Sequence, residues 1–380
     1  MARILQAFEP PHGGVAEHVR ALSLSLKARG HEVTVAGPLE SQIYPELESA
    51  GIPFERLPFV GTIVAPKPDR RAARILRRIV SEGSFDVGHA HGVKAGVLLR
   101  SMGALARLPV LYTPHCFAFI SHQYRDDLSH PRLRRALVIN AERAMGLITA
   151  RLVCTSEFER GFADHLHIAP AGRRRTIPNG VALDRPTEPD PDLVEWRGDG
   201  QLFGSVSVLR WEKGLHHLIE VAQILGEEQP DLRLAIVGEG PERSDLTERI
   251  ERAGVGDRIR VFPFSGSSDP HLAALDALVL PSDVFESLPI GVIEGMVHSL
   301  PVIASDIGGV PELVRDGETG ILVPPGDTGR LAAAMRELAA DPSAARLLGE
   351  RGRKLAESQF SLKRMIDSLE REYLAVSARR

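Results

Sequence analysis

Short apolar runs alternate with longer amphipathic segments, and this alternation occurs twice along the chain. The first series runs through residues 4–8, an amphipathic stretch at 15–29, and a second apolar run at 32–36. Strands buried on both faces read as unbroken apolar runs, and the segments between them have helical length, so the pattern predicts βαβ units and a parallel sheet. Further strands are expected at 87–90, 110–113 and 152–155, with helices at 69–81, 95–106 and 131–145. A second series follows, with strands expected at 203–208, 233–237, 258–262, 277–280 and 302–305.

Between the two series, after Asn179 and Gly180, the chain turns polar and proline-rich through Asp184, Pro186, Glu188, Pro189, Asp190 and Pro191. This stretch has neither helical nor strand periodicity and reads as a linker. At 380 residues the chain also exceeds what one core usually sustains. The expected organisation is α/β with two Rossmann-like βαβ domains, at 1–185 and 186–360, and an amphipathic C-terminal helix at 361–380 packing back towards the first domain. Tandem domains of this kind bind ligands beyond the carboxyl ends of their strands, so an interdomain cleft is the expected site.

Composition narrows the partners. The 46 Lys and Arg against 50 Asp and Glu give a formal net charge of −4, which provides no general attraction to nucleic acid. Two cysteines, Cys116 and Cys154, make neither a disulfide framework nor a cysteine-rich zinc site, and suit a reducing cytoplasm. The opening MARILQAFEPPHGG lacks the apolar stretch of a signal peptide, and no run approaches the ~20 apolar residues of a spanning helix. A cytoplasmic location is expected, and any membrane contact should be peripheral. One place invites such contact: Arg70, Arg71, Arg74, Arg77 and Arg78, interleaved with Ala73, Ile75, Leu76 and Ile79, which could lie on anionic lipid or form a solvated face. Arg132, Arg134 and Arg135 would extend the patch.

Two segments carry most of the chemistry. Glu286 and Glu294 flank a Leu288-Pro289-Ile290 turn leading into a helix, with Glu294 expected in the first helical turn. Amides at a helix N-terminus favour a diphosphate, and adjacent carboxylates can accept hydrogen bonds from sugar or ribose hydroxyls. The second segment ends a strand in Arg210, Trp211, Glu212, Lys213 and Gly214, where Arg210 and Lys213 could neutralise charge on a departing nucleotide diphosphate, work often done by a metal. In the first half, Gly13 and Gly14 lie between strand and helix, where absent side chains permit a close approach. His89 and His91 alternate on a strand end, but no third metal ligand accompanies them at diagnostic spacing.

These segments together resemble family 4 of the glycosyltransferases, retaining enzymes with the GT-B fold. The resemblance covers Gly13-Gly14, the histidines after Asp86-Val87, Thr113-Pro114-His115, Ile177-Pro178-Asn179-Gly180-Val181, Lys213-Gly214, Gly238-Glu239-Gly240-Pro241, the Glu286 and Glu294 element, and Gly308-Gly309-Val310-Pro311-Glu312. It implies that Lys213 binds the donor diphosphate, that Glu294 holds the donor ribose and that Glu286 contacts hydroxyls of the transferred sugar. Leu288, Pro289 and Ile290 match a loop whose backbone approaches phosphates and sugar, although Pro289 has no N–H. The family's arginine aligns with Val208, which leaves Arg210 as the candidate for its contact. His115 matches the histidine that touches the transferred sugar, and His91 is the candidate at the acceptor.

The expected reaction moves a hexosyl unit from a UDP or GDP sugar to a hydroxyl of a sugar, glycolipid or small-molecule acceptor in polysaccharide or glycolipid assembly. Neither cofactor nor metal is expected. Two alternatives share the architecture: a nucleotide-sugar epimerase, which would need a proton-abstracting base, and a non-catalytic sugar-binding protein.

Overall fold

The computed structural model of the chain describes residues 1–60, 65–120, 131–185, 187–229 and 231–378; Pro186 of the expected linker lies outside them. The chain divides into two units, Met1–Asn179 with Leu362–Arg380, and Gly180–Ser361. The division falls at Asn179/Gly180, ahead of the proline-rich stretch. That stretch ends at Asp190, whose carboxylate accepts the N–H groups of Asp192 and Leu193 to cap a helix at Pro191–Arg197.

The first unit holds β1 (Arg3–Phe8), β2 (Glu32–Pro38), β3 (Phe54–Leu57), β4 (Val87–His91), β5 (Val110–Thr113), β6 (Arg151–Cys154) and β7 (Arg174–Thr176). They form a seven-stranded sheet in the order β3-β2-β1-β4-β5-β6-β7, and every pairing is parallel. The second unit holds β8 (Gln201–Val206), β9 (Leu232–Val237), β10 (Ile259–Phe262), β11 (Ala277–Leu280), β12 (Val302–Ser305) and β13 (Gly320–Val323), ordered β10-β9-β8-β11-β12-β13 and again parallel. In both sheets the strand order reverses beside the first strand, between β1 and β4 and between β8 and β11. Ligands in such folds bind outside the carboxyl ends of the strands at that reversal.

The C-terminal helix Leu362–Ser377 belongs to the first unit. It buries Met365, Ile366, Leu369, Tyr373 and Val376 along one stripe, each burial contributing roughly 1.5–3 kcal/mol. Its outer edge is tied by charge: Arg29 to Asp367 and Glu370, and Arg151 and Arg175 to Glu372. Inside, the Tyr373 hydroxyl lies 2.6 Å from His89 Nδ1 and 3.2 Å from Gln6 Nε2, so the helix reaches the reversal point of the sheet through polar contacts.

The basic helix Pro66–Glu82 exposes Arg70, Arg71, Arg74, Arg77 and Arg78 and turns Ala72, Leu76, Ile79 and Val80 into the core of its own unit. Its apolar stripe is therefore consumed by folding, and only the charged face is available outside. No helix among the described residues is long and apolar enough to cross a membrane.

Candidate active site

In the second unit, β8 ends in a short turn, Trp211–Lys213, closed by Gly214 at φ 62°. A Cβ at Gly214 would sit on the carbonyl oxygen of Pro281, so glycine is what lets this turn lie against the loop after β11. The Asp283 N–H, donated to the Glu212 carbonyl at 3.1 Å, joins the same two segments. Their contact places Lys213 Nζ 2.5 Å from Glu286 Oε1, which also accepts the Ser282 hydroxyl at 2.7 Å. A cation and a carboxylate thus meet at the carboxyl ends of β8 and β11, beside the strand-order reversal.

Glu286 is held from behind by the Gly308-Gly309 turn. The Gly309 N–H is donated to the Glu286 carbonyl at 2.9 Å, and a Cβ at Gly308, where φ is 57°, would fall 2.0 Å from that oxygen. Gly308 is what lets the turn lie against the backbone of Glu286. Gly308→Ala should displace the Glu286 loop and lower any turnover that depends on this carboxylate by at least about tenfold, through misplacement of the group. Steady-state kinetics on the folded variant checks this.

The helix after Glu286 is Ile290–Val297, with Pro289 at its N-cap and Leu288 buried just before it. Val292 and Ile293 already donate their N–H groups to the Pro289 carbonyl, at 3.1 and 3.4 Å, so the Ile290 and Gly291 N–H groups are the ones that can face an anion. Glu294 lies in the second turn instead of the first, because the helix starts only at Ile290. Its two oxygens are 2.8 Å from Arg185 Nη1 and 2.8 Å from Ser268 Oγ. Arg185 also pairs with Asp269, which bonds His298. Sequence reasoning missed Arg185, since it sits in the irregular stretch read as a linker. Arg210 turns to Glu212, with Nε and Oε1 2.7 Å apart, and the two pairs, Arg210 with Glu212 and Lys213 with Glu286, have no partner in common.

In the first unit, Gly13 caps the helix Gly14–Ala28 directly after the β1 loop. His91 ends β4, and His115 follows β5 in a half-buried turn. His115 and Cys116 both have positive φ, 53° and 104°, a conformation costing about 1–3 kcal/mol each in non-glycine residues. Glu159 holds the turn: its buried carboxylate accepts the Cys116 N–H at 2.9 Å and the Thr155 N–H at 2.8 Å. Sequence reading missed Glu159, although Ser156 three residues earlier marks a helix start, and its hydroxyl does accept the Glu159 N–H.

His91, expected at the acceptor, is fully buried and exposes no surface to one. Its Nε2 lies 2.8 Å from Gln6 Oε1 and its Nδ1 3.1 Å from His115 Nε2, so it supports His115 from behind. His89 is equally buried between Tyr373 and Thr113, a structural position. His18, which the sequence did not single out, packs edge-on against His115 with ring centroids 4.8 Å apart.

Burial, first, and then the neighbouring histidines push His91 and His115 well below the usual imidazole range, and burial lowers His18 to about 4. The sign for stability follows. Above pH 6.5 these rings are neutral in both folded and unfolded chains; below it the unfolded chain takes up protons that the folded unit refuses. Stability should therefore fall as pH drops from about 6.5 to about 4, with His18 alone costing on the order of 3 kcal/mol. Urea unfolding of the first unit across that range measures it.

Two parallel, doubly wound units with this strand order define the GT-B class. Alr3699/HepE of Anabaena, solved in complex with UDP and glucose, superposes with a TM-score of 0.83 at 19% identity over 99% of this chain and 100% of its own. Sucrose-phosphate synthase of Thermosynechococcus elongatus does so at 0.81 and 24% identity, over the whole of both chains. Residues 13–180 match the glycosyl transferase 4-like domain, and residues 188–355 match glycosyl transferases group 1. The putative glycosyltransferase EpsD of Bacillus subtilis (strain 168) is 31% identical over 363 residues, 92% of this chain and 90% of that protein. Glycogen synthase of Mycobacterium tuberculosis (strain CDC 1551 / Oshkosh) is 26% identical over 391 residues, 96% and 91% of the two chains. The chain belongs to the family 4 type of glycosyltransferases and is an enzyme of glycosyl transfer.

Proposed function

We propose that this glycosyltransferase moves a hexosyl unit from a UDP or GDP sugar to a hydroxyl acceptor with retention at the reacting carbon and without a metal, in polysaccharide or glycolipid assembly. The observation that carries this reading is the Lys213–Glu286 pair beside a helix N-terminus at the reversal of the second sheet. In this reading Lys213 and the N–H groups at the start of Ile290–Val297 neutralise the diphosphate as the glycosidic bond stretches. Glu286, supported by Ser282, accepts hydrogen bonds from hydroxyls of the transferred sugar. Glu294 takes the ribose, since a carboxylate has about four acceptor sites and two contacts leave capacity. Arg210 can serve the diphosphate through its terminal N–H groups while its Nε stays paired with Glu212.

In the first unit His115, oriented by His91, touches the transferred sugar, and the Gly13-Gly14 turn admits ligand close to the backbone. The family resemblance supports departure and attack on one face, with the leaving phosphate oxygen receiving the acceptor proton. Product stereochemistry tests this part. An α-linked sugar donor should give an α-linked product, read from the anomeric proton coupling by NMR; a β-linked product would overturn retention.

We place the protein in the cytoplasm, with peripheral contact to anionic lipid through Arg70, Arg71, Arg74, Arg77 and Arg78. The contact is electrostatic, at about 1 kcal/mol per arginine near the surface. On the helix Pro131–Leu147, Arg132 and Arg135 are exposed beside Leu133 and Leu137 and extend the surface. Cosedimentation with vesicles containing anionic lipid should be lost when the five arginines become glutamine, or when salt is raised; binding that survives both changes would contradict it.

A further inference from the structure

Three imidazoles meet where the first sheet reverses its strand order. His18 comes from the helix after β1, His91 from the end of β4 and His115 from the turn after β5, and one ring nitrogen of each lies within 4.8 Å of the other two. The hydrogen bonds behind the rings determine which nitrogens face inward. Gln6 Nε2 donates to the Tyr373 hydroxyl at 3.2 Å, so Gln6 Oε1 is free to accept from His91 Nε2 at 2.8 Å. A neutral imidazole with its proton on Nε2 carries a lone pair on Nδ1, and that atom faces His115 Nε2 at 3.1 Å.

His18 is arranged in the same way. Its Nδ1 is 3.1 Å from Asn179 Oδ1, which leaves the lone pair on Nε2. That nitrogen is buried and has no hydrogen-bond partner among the described residues. A buried polar atom without a partner costs about 1–3 kcal/mol, and a nitrogen of this same ring lies within 4.8 Å of one on each of the other two imidazoles.

We propose that His18 Nε2, His91 Nδ1 and His115 Nε2 bind one divalent transition-metal ion of the zinc type, and that the bound ion inhibits sugar transfer by occupying His115. Three neutral imidazoles are a zinc ligand set with the fourth position open. Imidazole suits zinc, copper and nickel, and disfavours magnesium and calcium. Amide oxygens on the back nitrogens of His18 and His91 fix the tautomers as ligating histidines require. With their back nitrogens on amide oxygens, His18 and His91 already present lone pairs; His115 moves its proton to Nδ1. The inhibitory half of the proposal rests on the sugar contact assigned to His115 under Proposed function.

The test titrates the metal-stripped full chain with Co2+ and follows the visible absorption of a nitrogen-ligated tetrahedral ion, with Zn2+ as competitor. The expected result is saturation at about one equivalent, loss of the band in His18→Ala and in His115→Ala, and about 10–100-fold weaker binding in Asn179→Ala. His115 is half-buried, so its variant keeps the test valid if His18→Ala fails to fold. Absence of a saturable band, or a band unchanged in the variants, overturns the site. In parallel, Zn2+ should inhibit transfer and excess EDTA should restore it; saturated cobalt binding without inhibition overturns the regulatory half. A chain that binds cobalt as described but turns over no donor would instead contradict the transferase reading and leave the metal site standing.

Discussion

Lys213→Ala should lower nucleotide diphosphate release from the donor by about a hundred- to a thousandfold, the loss typical of removing one preorganised group from developing charge. Lys213 Nζ lies 2.5 Å from Glu286 Oε1, at the carboxyl ends of β8 and β11. Removing the ammonium has two consequences. On the proposed reading the departing diphosphate loses its neutralising cation, and the Glu286 carboxylate, left with the Ser282 hydroxyl, becomes an unshielded negative charge beside it. Arginine should restore only part of the rate, because its planar fork does not present the compact charge of an ammonium. The fold should be indifferent. The pair is partly open to solvent, and such pairs contribute about 0–1 kcal/mol to stability. Thermal unfolding of the variant together with donor turnover separates the two: a large drop in melting temperature would place Lys213 in the scaffold, and near-wild-type turnover would remove it from the site.

Glu142→Ala should be the most damaging single change to the fold of the first unit, costing about 3–5 kcal/mol. Arg100 is fully buried, and two of its nitrogens meet both Glu142 oxygens at 3.0 and 3.1 Å. Its Nε–H is donated to the Gly96 carbonyl at 2.8 Å, and its guanidinium lies 3.8 Å from the centre of the Tyr112 ring. Truncating Glu142 leaves that cation in the core with one carbonyl and an aromatic face, while its desolvation cost remains. For a unit of this size the melting temperature should fall by roughly 6–20 °C. Replacing both partners with well-packed apolar residues, as in Arg100→Met with Glu142→Leu, should recover most of the loss, because the unpaired charge and not the missing contact is what destabilises. Calorimetry of the single and double variants decides it.

The contrast between these sites explains what the sequence discloses. Central strands are legible: β5, β11 and β12 span 110–113, 277–280 and 302–305 as expected, because both faces of each are buried. The edge strand β7 reads Arg-Arg-Thr and carries no apolar run; Arg174 lies there because its guanidinium donates to the carbonyls of Ile168 and Ala169 and pairs with Asp164. β3 is similarly short and polar in the middle, and the four apolar residues of β13 could as well belong to a buried helix. At the candidate site the sequence singles out Lys213 and Glu286 in loops after their strands and His115 just after β5; His91, expected at the acceptor, is buried behind His115. Their supports are not legible. Ser282, Arg185, Glu159 and His18 act through contacts between segments far apart in the chain, and no periodicity within a segment encodes such a contact. Gly308 shows the converse, a residue correctly noticed whose close neighbour is the Glu286 backbone.

The most direct measurement incubates the purified chain with UDP, GDP and ADP sugars in the presence of EDTA and scores nucleotide diphosphate release with and without hydroxyl acceptors. The account predicts release from a UDP or GDP sugar, stimulated by an acceptor, undiminished by EDTA and lost in both Lys213→Ala and Glu286→Ala. Tight donor binding without release, release only after a divalent metal is restored, or an epimerised donor in the absence of acceptor would each contradict it.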